Sequence, residues 1–309
     1  MNRKDISWAE APVEQEGQRA KPESSSNGFT TAVGSEDSDV SSSITKLPPP
    51  LLYRPFPTAM KIYYQWNLAG IKVFHVCGTD QHDRIFAVEV HRGYSMSAPL
   101  GVFPGLYLYN GPSTKDSRVA AFGQEHGLHG LTLNNENVIY FRRGGSSPWK
   151  WEAMRAHTTP KPDHNVYFRF GLDVGRGKHR RRETFEWRRV KRSERDDSTQ
   201  NGGFKLLWLS LDPEHSGQEG GGSSQSAATD GDESEVVATF SWHSFLTSPK
   251  HPFDLTITED AQFTKLGERC TLMVLITALG LWWLHAQGKT RRGPVAVREK
   301  VEGKGKSVA

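Results

Sequence analysis

The chain has 309 residues, and its 39 Lys and Arg against 35 Asp and Glu give a formal net charge of +4, too small to indicate a nucleic-acid partner by itself. Its two cysteines, Cys77 and Cys270, exclude a disulfide-framework protein, so we expect a reducing, cytoplasmic location. Only 36% of the residues are hydrophobic, which is low for a chain folded throughout, and the deficit is concentrated in separate segments.

The first of these segments is the N-terminal region, residues 1–49. It is rich in Ser, Glu and Gly, carries eight acidic and five basic residues, and leads into a run of three prolines. It offers too little apolar surface to offset the entropy that the backbone would lose on ordering. We therefore predict that 1–49 is disordered and that the folded domain covers 50–288.

Between residues 60 and 258 the sequence is typical of a β-barrel or sandwich, because short runs rich in Val, Ile, Phe, Tyr and Trp alternate with Gly, Pro, Asn and Asp. In 183–189 the rings of Phe185 and Trp187 share one face, and Glu186 and Arg188 share the other. The predicted strands are 61–66, 71–76, 85–91, 105–109, 117–122, 137–142, 149–155, 166–171, 183–189, 204–210, 235–241 and 253–258. About twelve strands with one dry face predict a closed antiparallel barrel, which has no exposed edges.

A long acidic segment separates the tenth and eleventh predicted strands. Residues 212–235 carry seven carboxylates and neither Lys nor Arg. Such a composition indicates a flexible loop, so we predict a disordered acidic insertion at 212–234.

The apolar run from Cys270 to Leu284 is interrupted only by Thr271 and Thr277. A helix that is apolar on all sides has to be buried, either in protein or in lipid. A barrel of about twelve strands has an interior too wide for its own side chains to fill. We therefore predict a central helix over 266–287 inside the barrel. Its predicted core residues are Leu272, Leu275, Ile276, Leu279, Trp282 and Trp283.

A single membrane span over 266–287 is the alternative. The apolar run would rise only about 22 Å as a helix, less than the ~30 Å hydrocarbon core of a bilayer. A cytoplasmic barrel would also place the basic segment 289–309, which we predict to be a disordered tail with seven Lys and Arg, across the membrane. In the reverse orientation the barrel would have to cross, and 1–48 contains no apolar core of a signal peptide.

Three sequence features in order resemble a known superfamily: LYLYNGPSTKDSRVAAF at 106–122, RETFEWRR at 182–189, and the all-apolar helix last. Because of these three features, the segment 50–288 resembles the tubby C-terminal-like superfamily. Within that superfamily it is most similar to uncharacterised fungal members and to the LURP-one-related group. The resemblance implies a twelve-stranded barrel threaded by a C-terminal helix. For tubby proteins it also implies phosphoinositide binding, and for the phospholipid scramblase relatives it implies membrane association. The tubby lipid-binding residues have no residue-by-residue match here.

The strongest charge signal lies between Arg176 and Arg195, where ten Lys and Arg stand against three Glu. Near an anionic membrane each basic residue contributes about 1 kcal/mol of attraction. The predicted anion-binding residues are Arg176, Lys178, Arg180, Arg181, Arg182, Arg188, Arg189, Lys191 and Arg192. A solvated loop, neutralised by the acidic insertion, is the alternative interpretation.

Motifs for catalysis or metal binding are weak. His126 and His129 have an H-x-x-H spacing, and His75, Cys77 and His82 lie close together in sequence. Neither group supplies the four ligands of a structural zinc site. The sequence also lacks a nucleophile elbow and a zinc-protease motif. We therefore expect no enzymatic activity, no metal and no cofactor.

Together these observations predict a non-enzymatic cytoplasmic binding domain. Its expected partner is an anionic membrane surface, in particular one that carries phosphoinositide, and no nucleic acid is expected. Two alternatives remain open at this point: a single-pass membrane protein that uses 266–287 as its span, and a protein-interaction scaffold that binds no lipid.

Overall fold

The computed structural model of the protein describes residues 53–65, 72–93, 96–124, 136–142, 149–159, 165–175, 180–195, 199–209, 234–244, 246, 248–258 and 267–306. The N-terminal region 1–49, predicted to be disordered, lies outside these residues. So does the acidic insertion 212–234, except for its last residue.

The fold is a closed antiparallel barrel, as the sequence predicts. Each strand pairs with its neighbours in the chain, and the last strand pairs with the first. The strands are β1 (Ala59–Gln65), β2 (Val73–Cys77), β3 (Arg84–His91), β4 (Gly105–Tyr109), β5 (Arg118–Gln124), β6 (Glu136–Phe141), β7 (Lys150–Thr158), β8 (Val166–Val174), β9 (Arg181–Arg189), β10 (Gly203–Leu209), β11 (Glu235–Trp242) and β12 (Phe253–Ile257). All twelve predicted strands are confirmed, with ends displaced by at most three residues.

The barrel interior is occupied by the helix α1 (Gly267–Ala286), so the predicted central helix is confirmed. Four of its predicted core residues, Leu272, Leu275, Ile276 and Leu279, are fully buried. Trp282 is 9% exposed and Trp283 is partly buried against the same core. By length and composition α1 could also span a membrane, and 78% of its most apolar window is buried inside the protein.

The fit between α1 and the barrel wall is tight at Gly280. A Cβ atom at this position would lie 2.4 Å from Cε2 of Phe122, whose ring projects inward from β5. Real Cβ atoms do not approach other atoms so closely, so glycine is what allows the helix to lie against this ring. Close packing of this kind is what the apolar character of the whole helix surface predicts.

Thr277, one of the two polar residues in the apolar run, has a specific role in the core. The indole N–H of Trp187 on β9 donates a hydrogen bond to Thr277 Oγ1 at 2.9 Å. The Thr277 hydroxyl donates in turn to the carbonyl oxygen of Met273, at 2.7 Å. The buried indole N–H therefore has an acceptor inside the barrel, which a wholly apolar helix would not provide.

The basic segment 289–309 differs from its prediction as a disordered tail. Residues 292–306 form a second helix, α2 (Arg292–Lys306), which packs against β7. Val295 is buried, and the Glu299 carboxylate accepts hydrogen bonds from the Thr158 hydroxyl and, at 2.9 Å, from the Thr158 backbone N–H. The composition of the segment did not predict these two contacts, because one apolar and one acidic residue hardly change its hydrophobic content or its net positive charge.

Candidate functional site

The structure places the predicted anion-binding residues in different surroundings. Arg176 and Lys178 lie outside the described residues, and so does the side chain of Arg192, which begins a short 3-10 turn. Arg180, Arg182 and Arg188 are ion-paired on the outer surface of the barrel, and Arg181 is ion-paired on the inward-facing side of β9, at the start of that strand. Arg189 and Lys191 are exposed at one end of the barrel. The six side chains that the structure describes therefore do not lie in one group.

Arg182 is the most strongly paired member. Its two Nη atoms donate to the Glu152 carboxylate on β7 at 2.8 and 2.6 Å, and Nη1 lies 3.4 Å from Asp173 Oδ1. Arg180 pairs with the same Asp173, and its hydrogen bond is the main cause that lowers the pKa of that carboxyl. Because bidentate Arg–carboxylate pairs are among the stronger ion pairs, an external anion would compete poorly for Arg182.

A second paired group surrounds Glu186, which faces outward from β9 yet is only 2% exposed. It is covered by Arg169, which donates at 2.7 and 3.1 Å, and by Arg188, whose Nε donates at 2.5 Å. On the other face of β9, Arg181 pairs with the buried Glu183. These arginines neutralise carboxylates that the fold has largely removed from water, so their charge is committed within the protein.

A different basic group lies at the end of the barrel where α1 leaves it, which we call the exit end. Arg189 is the last residue of β9, Arg291 follows α1, and Arg195 follows the 3-10 turn. None of these three arginines makes an ion pair with another described residue. Their charges are therefore available to an anion at the exit end.

Trp242 and His285 hold the centre of the exit end. Their rings stack with centroids 4.3 Å apart, and His285 Nδ1 lies 3.0 Å from Thr290 Oγ1. Burial lowers the pKa of His285, and the positive charges of Arg189 and Arg291 lower it further. A Cβ atom on Gly202 would lie 3.4 Å from Arg195 Nη2 and 3.7 Å from Trp242 Cδ1. These proximities place the three arginines around one Trp–His pair.

Exposed apolar side chains gather at the same end. Leu246, in the β11–β12 connection, is 92% exposed, and Met96, in the β3–β4 connection, is 83% exposed. Both connections lie at the exit end, because β3, β9 and β11 run in the same direction in the antiparallel barrel. The six exposed large apolar residues in the described part of the chain are Met96, Val102, Leu246 and Val297 on this side, and Trp151 and Val236 at the starts of β7 and β11 on the opposite side.

The structure also brings together a group that the sequence analysis did not predict. Ligand atoms of His243, His251 and Asp254 all lie within 4.8 Å of one another, which makes them the one three-residue group in the described ranges able to hold a metal ion. Their spacing, H-x7-H-x2-D, matches no familiar motif. The signal that could have found them is the predicted hairpin of 235–241 and 253–258, whose connection carries both histidines.

Of the possible ligands that the sequence analysis considered, the structure describes His75, Cys77 and His82, and it does not bring these three together as a metal site. His126 and His129 lie outside the described residues. His75 Nε2 lies 3.1 Å from Gln65 Oε1, while exposed His82 is 3.1 Å from Gln81 Nε2. Burial raises the pKa of Cys77 to about 11, so its thiol stays protonated near neutral pH.

Comparison with known proteins identifies no relative of the chain. No protein-family model, no curated protein and no solved structure matches the chain. The barrel and its central helix therefore stand on the structure itself, and membership of the tubby C-terminal-like superfamily stays a prediction from the order of the sequence elements.

Proposed function

We propose that the protein is a non-enzymatic, cytoplasmic binding domain that docks on anionic membrane lipid, phosphoinositide in particular, through the exit end of its barrel. The observation that carries the proposal is the coincidence of two features at this end. Arg189, Arg195 and Arg291 make no ion pair there with described residues, and Leu246 and Met96 project there into solvent.

The filled interior supports an external binding surface. The barrels that bind small apolar ligands do so in an open lumen, whereas α1 occupies the lumen here with fully buried residues such as Leu275 and Leu279. Binding is therefore expected on the outside of the barrel, where Arg182 and Arg188 of β9 are already paired to carboxylates.

The two kinds of residue at the exit end make separate contributions to membrane binding. Guanidinium groups suit phosphate because their planar donors bind two oxygens at once, and each adds about 1 kcal/mol of attraction near an anionic surface. A side chain such as Leu246 gains roughly 1.5–3 kcal/mol when it is fully removed from water, as it would be among the lipid tails. Charge would attract and orient the barrel, and the apolar tips would then hold it.

Vesicle flotation with the full chain tests this proposal. We expect the protein to float with vesicles that contain phosphatidylserine or a phosphoinositide, and to remain below with vesicles of phosphatidylcholine alone. Recovery should fall as salt is added, because exposed charges are screened over about 10 Å at 0.1 M ionic strength. Greater recovery with phosphoinositide than with phosphatidylserine at equal vesicle charge would assign specificity to the headgroup. Equal recovery with neutral and anionic vesicles at low salt would contradict the proposal.

Charge-matched variants identify the surface. The triple variant Arg189→Gln, Arg195→Gln and Arg291→Gln should lose most of its binding. The control variant Arg54→Gln, Arg84→Gln and Lys115→Gln removes the same charge from exposed positions at the opposite end of the barrel. It should bind as the unmodified protein does. Equal losses in both variants would show that net charge, and not the exit end, drives binding.

The single-span alternative has one observation in its favour, namely the length and apolar character of α1. Alkaline carbonate washing of membranes from expressing cells separates the two cases. A barrel that docks by its exit end should be released by the wash, whereas a chain that spans the bilayer with α1 should stay in the pellet.

A further inference from the structure

The group formed by His243, His251 and Asp254 lies on the outer surface of the barrel, beside the exit end. His243 Nε2 is 2.8 Å from Asp254 Oδ2, and His251 Nε2 is 2.7 Å from Asp254 Oδ1. Each carboxylate oxygen thus faces one imidazole, and the two rings lie with their centroids 4.2 Å apart. The arrangement aims two nitrogen atoms and one carboxylate at a common region.

The backbone holds all three residues in place. The N–H of His243 donates to the carbonyl oxygen of Pro252 at 2.9 Å, and the N–H of His251 donates to that of Ser248 at 3.1 Å. Asp254 lies within β12, between β11 and β1. The ring of Tyr63 stacks on His251 with centroids 4.6 Å apart, which fixes the plane of that imidazole. The group is therefore preorganised by the hairpin and not by the side-chain contacts alone.

We propose that His243, His251 and Asp254 bind a divalent late transition-metal ion, with Zn²⁺ the first candidate, through the two Nε2 atoms and the carboxylate. In the metal-free state each Nε2 needs a proton to donate to Asp254. A metal ion replaces those two protons, so the same atoms can serve both states without a change in the backbone.

The donor set selects the class of ion. Imidazole nitrogen suits zinc, copper, iron and nickel, whereas Mg²⁺ and Ca²⁺ prefer oxygen ligands throughout. Zn–N and Zn–O bonds of about 2.0–2.2 Å in a tetrahedral site place ligand atoms roughly 3.3 Å apart. The carboxylate oxygen that binds the ion therefore has to move roughly 0.5 Å away from the Nε2 atom that it faces. Rotation of side chains at a partly exposed site can supply this movement.

The surroundings leave the site accessible and incomplete. The side chains of His243, His251 and Asp254 are 27%, 17% and 31% exposed, so an ion can enter from solvent. Three protein ligands leave at least one coordination position for water or for a donor from a partner. Lys61 lies opposite Asp254 on β1, and its positive charge disfavours cations that are held by charge alone. The two imidazoles would therefore have to supply most of the binding.

Metal titration of the full chain tests this proposal, and its outcome does not depend on whether the protein binds lipid. Protein stripped with a chelator and then dialysed should bind one equivalent of Zn²⁺ in isothermal titration calorimetry at neutral pH. Co²⁺ should give the visible absorption bands of a four-coordinate site. Mg²⁺ should not bind.

Three variants locate the site. His243→Ala and Asp254→Asn should each weaken Zn²⁺ binding by at least the roughly 10–100-fold that loss of a supporting residue costs at metal sites. The double variant His126→Ala and His129→Ala removes the other zinc-like spacing in the chain and should bind as the unmodified protein does. Circular dichroism checks that each variant is folded. Wild-type protein that binds no Zn²⁺ at micromolar concentrations would overturn the proposal, as would binding that survives both site variants or disappears in the double variant.

Discussion

At the scale of single residues, Thr277 shows how one hydroxyl matters inside an apolar barrel. It accepts the hydrogen bond of the Trp187 indole at 2.9 Å, and both residues are fully buried. In Thr277→Val the shape is kept but the indole N–H loses its acceptor. Because an unsatisfied buried donor costs about 1–3 kcal/mol, we expect the free energy of unfolding, measured by urea denaturation, to fall by that amount.

Thr277→Ser is the matched control for this prediction. It keeps the hydroxyl and removes only a methyl group, which costs about 1 kcal/mol in a packed core. A valine variant as stable as the wild type would show that the indole finds another acceptor or that the pair contributes nothing.

The limits of sequence reasoning are clearest at this scale. Alternation in β9 places Glu186 and Arg188 on the outer face, and the structure agrees. The alternation does not predict which residue on a neighbouring strand each side chain pairs with. Arg182, for example, pairs with Glu152, which lies 30 residues earlier on another strand. The charge run around β9 therefore predicts an anion site that the fold largely neutralises. His243 and His251 show the reverse case, since only the hairpin register brings them to Asp254.

At the scale of elements, α2 is the part that composition describes least well. Its contact with the barrel rests on buried Val295 and on Glu299, which bonds both the backbone and the side chain of Thr158. We expect Glu299→Ala to loosen α2 without unfolding the barrel. Hydrogen–deuterium exchange should be faster over 292–306 and at Thr158, whose backbone N–H loses its acceptor, and unchanged in the rest of β7.

Lys300→Ala is the control for this prediction, because Lys300 is an exposed neighbour on the same helix. It should leave exchange in α2 unchanged. Protection of α2 that persists in Glu299→Ala would show that burial of Val295 alone is enough to hold the helix.

The strands and α1 were predictable because each carries a strong period or a continuous apolar run. A period of two residues marks the barrel wall, as in Val166, Phe168 and Phe170, which all face inward. The run from Cys270 to Leu284 marks a helix that must be surrounded. Helix α2 has neither signal, because the buried valine and the carboxylate contact found among its described side chains do not make a periodic pattern.

At the scale of the whole molecule, the barrel and its central helix depend on each other. Leu275 is fully buried at the centre of α1, so Leu275→Arg would place a charge without a partner inside the barrel. Removing a partner from a buried ion pair already costs about 3–5 kcal/mol, and we expect a comparable or larger loss here, enough to prevent folding. Circular dichroism and size-exclusion chromatography of the purified variant would detect it.

Val297→Arg is the control, because Val297 is an exposed residue of α2. This variant should fold normally and elute as the wild type does. A Leu275→Arg protein with the wild-type melting temperature would mean that α1 is not packed inside the barrel in solution.

The position of α1 in the chain has a consequence for how the protein is made. All twelve strands, up to Ile257, leave the ribosome before the 20-residue helix that begins at Gly267. A ring already closed by the pairing of β1 with β12 would admit that helix only lengthwise, past inward side chains that pack as closely as Phe122 does against Gly280. We therefore expect the barrel to close only after α1 has left the ribosome. Until then the nascent chain exposes the apolar inward faces of its strands, and in that state it can aggregate or bind chaperones.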